Sequence, residues 1–196
     1  GTWNLPDGKV CILTDLPGAY GFLAASEDES QVLNAFADTD KWPDAIIYVA
    51  DASNLERHLL FFTELAALGI PMLLALSMTD MAAARGLQID THVLSAELGV
   101  LVIPLPPGDE KALQQLAAKA AALGEGHIPS LPVRYPLKGK ALIEAMRSRR
   151  DAISDPATRI ADAEQRAHFV RSVLARSVVR KGQSGRLIAR WLDRVF

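Results

Sequence analysis

Three apolar runs, each bounded after four to six positions by a polar residue or a proline, constrain this chain more than anything else in it. Residues 45–50 (Ala-Ile-Ile-Tyr-Val-Ala) end at Asp51, residues 71–76 run into Ser77 and Asp80, and residues 100–103 lie between Gly99 and Pro104. Residues 9–14, ending at Asp15, read as a fourth run of the same kind. None alternates apolar with polar side chains, the pattern expected of strands buried on both faces of a parallel sheet. Helical patterns separate them. Residues 55–68 place Leu55, Leu59, Phe62, Leu65 and Ala66 on one face and stop at Gly69. Residues 90–98 open at Asp90, a suitable N-cap, residues 109–123 are rich in Ala, Leu, Lys and Gln, and residues 27–37 give a weaker pattern. Strand and helix in alternation predict an α/β fold with a parallel sheet flanked by helices and right-handed crossovers.

A Gly- and Pro-rich stretch, residues 125–137, reads as a linker between a first unit, 1–124, and a second, 138–196. The second unit is helical only, with helices expected over 139–148, 157–180 and 184–196, and is too small to be very stable without docking on the first. Charge divides the same way. Residues 1–133 hold 6 Lys/Arg against 17 Asp/Glu, and residues 134–196 hold 15 against 6. Such a split fits two lobes that attract each other, a basic face toward an anionic membrane surface, or a nucleic-acid contact. The single cysteine, Cys11, excludes an internal disulfide and a cysteine zinc cluster. His58, His92, His127 and His168 lack metal-ligand spacing, and no apolar run approaches the roughly 18 residues needed to span a bilayer.

Ligands of open α/β sheets sit at the carboxyl ends of the strands. Asp15-Leu16-Pro17-Gly18 follows an apolar run. An Asp there can hold the hydration shell of magnesium, and a Gly three residues on can offer its N–H to a γ-phosphate; a simple turn is the plain alternative. Ser77-Met78-Thr79-Asp80 follows the next run but one, with Asp80 placed to accept hydrogen bonds from a guanine edge or, more plainly, to cap a helix. Asp51-Ala52-Ser53-Asn54 reads as a structural turn leading into a helix.

These segments together carry a family resemblance. Asp15-Leu16-Pro17-Gly18-Ala19-Tyr20 with Glu27-Asp28-Glu29, the run Asp51-Ala52-Ser53-Asn54-Leu55-Glu56-Arg57, and Ala75-Leu76-Ser77-Met78-Thr79-Asp80 resemble, in order, the switch II segment, a signature run and the guanine-specificity strand of the ferrous iron transport protein B (FeoB) family. Ala161-Asp162 through Leu192-Asp193-Arg194-Val195-Phe196 is similar to the end of that family's helical domain. The resemblance implies a P-loop-GTPase-like sheet followed by a small helical domain that modulates nucleotide release. It implies GTP or GDP with Mg²⁺ as cofactors, bound through Asp15, Leu16, Pro17, Gly18, Ser77, Met78, Thr79 and Asp80, with Asp15 supporting the magnesium from its second shell. The implied partners are a guanine nucleotide, the protein's own membrane transport part and a further copy of the chain, with no nucleic acid. The implied location is the cytoplasmic face of a bacterial inner membrane.

Three departures qualify the implied GTP hydrolysis. No Gly-x-x-x-x-Gly-Lys-Ser/Thr loop occurs in the sequence, so the family's phosphate loop and switch I are expected to precede Gly1. Ser77 stands where the family has Asn, and Leu105-Pro106-Pro107-Gly108-Asp109 occupies the second base-contacting loop with prolines that lack N–H donors, which predicts weak guanine selectivity. Ala19 follows Gly18, so no glutamine there can position a water. The alternative expectation is an interaction module of the same fold without nucleotide turnover.

Overall fold

A computed structural model describes residues 1–4, 8, 10–19, 21, 31–32, 35–36, 42–123, 129, 139–147 and 156–181. Its central feature is a three-stranded parallel sheet of order β3-β4-β6, formed by β3 (Ile46–Asp51), β4 (Met72–Ser77) and β6 (Leu101–Pro104). Ile46 pairs with Met72 and Asp51 with Ser77, while Leu73 pairs with Leu101 and Leu76 with Pro104. Pro104 is tolerated because β6 is an edge among the described strands, and the next residue, Leu105, donates to the Leu76 carbonyl at 2.7 Å.

Alternate residues of each strand feed two cores. Tyr48, Ala50, Met72, Leu74 and Leu76 join the larger one. It is covered by α1 (Leu55–Ala66), α3 (Thr91–Leu98) and α6 (Pro156–Ser177) through Leu59, Phe62, Leu94, Leu98, Val170 and Val173. Leu73, Ala75 and Ile103 face the other way, onto Leu116 of α4 (Glu110–Ala121). Each large apolar side chain so buried contributes about 1.5–3 kcal/mol. Helices α3 and α4 begin where an aspartate side chain satisfies free N–H groups. Asp90 accepts from the N–H groups of His92 and Val93 at 3.0 Å each, and Asp109 accepts from Ala112 at 3.0 Å. Gly99, at φ 70°, turns the chain out of α3 in the left-handed region that a side chain disfavours.

Several expectations change. The run at 9–14 is not a strand of the parallel sheet. Val10–Ile12 forms β2 and pairs antiparallel with β1 (Thr2–Asn4), leaving Val10 64% and Ile12 84% exposed. A partner a few residues away is met with little loop-closure cost, and apolar content alone says nothing of which partner it will be. A short helix, α2 (Thr79–Ala84), follows β4, so Asp80 lies inside its first turn rather than capping it. Residues 157–180 do not stay helical: α6 ends at Ser177 and Val178–Arg180 forms β7, antiparallel to β5 (Leu87–Ile89). Among its described residues the tail is therefore helical apart from one strand. Helix α5 (Gly139–Arg147) matches the expected 139–148 helix, and its Ile143 is buried in the larger core. Within 27–37, residues 31, 32, 35 and 36 are helical. Glu27-Asp28-Glu29, most of the expected linker and the 184–196 helix lie outside the described residues.

Candidate nucleotide site at the strand ends

Parallel pairing brings the carboxyl ends of β3 and β4 level, with Asp51 and Ser77 as register partners. Both loops that follow are shaped by hydrogen bonds. Asp51 Oδ1 accepts the Ser53 N–H at 2.7 Å, which turns the chain through the 3-10 stretch Ala52–Asn54 into α1. The structural reading of Asp51 from sequence holds in that respect. Ser77 donates its hydroxyl to the Ala50 carbonyl at 3.1 Å, so this side chain ties one strand end to the other. Arg85, at the end of α2, adds a second tie through Nη1 to the Ser53 carbonyl at 3.2 Å. Nothing in the sequence marked Arg85, because an arginine ending a short helix has no pattern of its own.

Met78 has φ 53° and ψ 34°, the left-handed region, and is the one non-glycine residue with positive φ among the described residues. A side chain there costs roughly 1–2 kcal/mol. The cost is met because β4, buried along Met72–Leu76, fixes the chain on one side and α2 fixes it on the other. This turn leaves Met78 and Asp80 exposed, with Thr79 half-buried between them. An exposed carboxylate at a strand end is free to accept paired hydrogen bonds from a planar donor edge.

Asp15, Leu16, Pro17 and Gly18 form an irregular segment after β2. Asp15 and Gly18 are exposed, while Leu16 and Ala19 pack against the larger core. A Cβ built on Gly21 would come 3.6 Å from Glu64 Oε2, which lays this segment against α1. The structure thus attaches both predicted loops to one core. It joins Ser77 to the Asp51 loop by hydrogen bonding, and residues 15–18 have no such bond to Ser77–Asp80 among the described residues. For magnesium, Asp15 offers one exposed carboxylate, and no group of three or more His, Cys, Asp or Glu able to hold a metal occurs among the described residues. That donor set suits a hydrated cation whose other ligands are phosphate oxygens and water.

His58 lies behind the Asp51 loop on α1. Its Nδ1 is 3.3 Å from the Tyr48 hydroxyl, which donates to the His58 carbonyl at 3.0 Å. Burial lowers its pKa below the usual 6.5, Asp51 opposes the shift, and Arg57 adds to it.

Comparison with known proteins completes the picture. The profile of the family described as ferrous iron transport protein B matches residues 2–120. The chain belongs to that family. Over 95 residues it is 45% identical to the Fe(2+) transporter FeoB of Legionella pneumophila, covering 47% of this chain and 13% of that protein. It therefore spans a small part of that relative's length. The solved cytosolic domain of L. pneumophila FeoB aligns with a TM-score of 0.76 at 25% identity, over 92% of this chain and 83% of that one. A GDP-bound mutant of the S. thermophilus FeoB G-domain aligns with a TM-score of 0.65 at 25% identity, over 84% and 80% of the two chains. The α/β architecture of the family is thus the architecture of this chain. Among the described residues no helix is long and apolar enough to cross a membrane.

Proposed function

We propose that this chain is the guanine-nucleotide-binding regulatory region of a ferrous-iron transporter, at the cytoplasmic face of a bacterial inner membrane. The observation that carries the reading is the Ser77–Asp80 loop. It leaves the carboxyl end of a buried parallel strand, turns through a strained Met78 and exposes Asp80 on the first turn of a helix, within the residues that match the family. The GDP-bound relative supports the same ligand class. In this reading Asp80 accepts hydrogen bonds from the guanine N–H edge. The main-chain N–H of Gly18 reaches a γ-phosphate, Leu16 and Pro17 shape the approach to it, and Asp15 holds water on the Mg²⁺. Ser77 acts on the base indirectly, by holding the loop against Ala50. The other implied partners are the transport part of the same protein and a second copy of the chain.

The test is calorimetric titration with GDP and GTP in the presence of magnesium, with ATP as control. Binding of GDP and GTP in preference to ATP by a small margin is expected, and Asp80→Asn should turn the preference toward xanthine nucleotides. Binding with unchanged base preference in Asp80→Asn would remove Asp80 from the base site.

One observation favours a second reading, an interaction module without turnover. The Ser77 hydroxyl is committed to a backbone carbonyl, and Pro106 and Pro107, which follow β6, supply no N–H donor to a base. Under that reading neither nucleotide binds in the titration.

A further inference from the structure

Helix α2, which carries Asp80, lies on the turn that leaves the neighbouring strand. It packs against the 3-10 stretch Ala52–Asn54, where Ala52 is fully buried, and it buries its own Ala82 in the same core. Two hydrogen bonds flank this contact. Ser77, just before the Met78 turn, donates to the Ala50 carbonyl at 3.1 Å. Arg85, just after α2, donates from Nη1 to the Ser53 carbonyl at 3.2 Å. The base-reading loop is therefore tied to residues 50–54 at its start, along its helix and at its end. A helix of six residues gains too few bonds to be stable by itself, so α2 takes its place from the seat beneath it.

That seat has a brace of its own. Asp51 Oδ1 accepts the Ser53 N–H at 2.7 Å, from a backbone at φ −73° and ψ 111°. Asn54, at the N-cap position of α1, makes no capping bond with its side chain, so the side-chain bond that shapes this turn is the one from Asp51. Residue 52 must also be small. A longer side chain there would have to displace α2, because a close-packed core does not absorb added volume.

We propose that residues 51–53 are positioning residues for guanine recognition. Asp51 shapes the turn, Ala52 and the Ser53 carbonyl receive α2, and Asp80 is thereby held where its carboxylate meets the N–H edge of the base. The proposal rests on the guanine-nucleotide reading above, and deepens it by naming what aims Asp80. Its mark is selectivity. Guanine offers N–H donors to a carboxylate, whereas adenine has an unprotonated ring nitrogen at the same edge. A displaced Asp80 therefore costs affinity for GDP and leaves affinity for ADP as it was.

The experiment compares the unaltered chain with Asp51→Ala, Asp51→Asn, Ala52→Val and Arg85→Ala. Affinities for GDP and ADP are measured by calorimetry, and amide hydrogen exchange is followed at residues 51–55, 72–76 and 78–84. Asp51→Ala is expected to raise exchange at 78–84, to leave 72–76 unchanged, and to lower GDP affinity about five-fold with ADP unaffected. Ala52→Val should do the same by displacing α2. Asp51→Asn, whose amide oxygen still accepts the Ser53 N–H, should restore most of the loss, and Arg85→Ala should cost GDP about two-fold. Faster exchange confined to 51–55 overturns the proposal, as does an equal fall for GDP and ADP, or an Asp51→Asn chain as impaired as Asp51→Ala. If Asp51→Ala and Ala52→Val also raise exchange at 72–76, the fold itself has been lost, and the exposed Arg85 decides: unchanged exchange at 78–84 in Arg85→Ala overturns the proposal. If the unaltered chain binds neither nucleotide, the guanine reading fails, and the exchange arm alone still decides whether residues 51–53 position α2.

Discussion

Met78 stores backbone strain at the point where the candidate site turns outward. Replacing it by glycine removes the left-handed penalty of roughly 1–2 kcal/mol and adds an entropic cost of about 0.5–1 kcal/mol in the unfolded chain. Met78→Gly should therefore raise stability by up to about 1.5 kcal/mol, read as a higher urea midpoint at an unchanged slope. A fall in stability would mean that the methionine side chain makes a contact worth more than the strain. His58 gives the second prediction at this scale. Its pKa is lowered by burial, so between the folded and unfolded values the unfolded chain binds more protons. The resulting stability is fully present above about pH 6.5 and is lost as pH falls through the folded value. His58→Gln should flatten the fall of stability below pH 6.5, measured by urea unfolding at several pH values. An equally steep fall in the variant would place the effect on other groups. At this scale the sequence showed Asp80 and Ser77 by their position after an apolar run. It did not show that Ser77 turns toward Ala50, because a serine hydroxyl has many possible acceptors and only the register of β3 on β4 selects one.

The contact between α1 and α6 shows what lies beyond sequence pattern at the scale of elements. Periodicity assigns α1 one apolar face, yet Phe61 is buried edge-on against Tyr48 of β3, with ring centroids 5.9 Å apart, and Thr63 is buried where Arg166 of α6 reaches it. Thr63 donates to the Leu60 carbonyl at 2.7 Å and accepts from Arg166 Nη1 at 3.0 Å, and Arg166 Nε lies 2.8 Å from Asp162. Thr63→Val keeps the shape but takes away an acceptor from a buried guanidinium, at a cost of roughly 1–3 kcal/mol. Thr63→Ser should recover most of it. A denaturant series on the two variants checks this, and equal stabilities would show that the hydroxyl contributes nothing. The elements legible in the sequence were those whose cores demand a long pattern: β3, β4 and β6 as unbroken apolar runs, and α1, α3 and α4 through periodicity and their Asp or Gly ends. The three-residue strands β5 and β7 have no such pattern. Val178–Arg180 continues a helical sequence and becomes a strand because β5 offers it hydrogen bonds, a tertiary preference that local propensity cannot announce.

At the scale of the molecule, the decisive relation is between the sheet and the tail. Sequence composition divides the chain into an acidic stretch and a basic one joined by a Gly- and Pro-rich segment, with the second too small to be very stable without docking on the first. Packing shows how closely the two are joined. Ile143 of α5 and Val170 and Val173 of α6 are buried in the same core as Leu59, Phe62, Leu74 and Leu94, and β7 completes a ladder with β5. Neither side can lose these contacts without opening the other, and a tail of this size has too little core to stand alone. Heating should therefore give one cooperative transition. Helix content followed by circular dichroism, and exchange protection of the amides of α6 and of β4, should be lost together, with calorimetric and van't Hoff enthalpies equal. Raised salt should lower the midpoint modestly, since attraction between the acidic and basic stretches is screened while the shared core is not. Loss of α6 protection well below the melting of β4 would instead make the tail an independent unit. The strand pair β5–β7 would then be a contact that forms and breaks in the folded state.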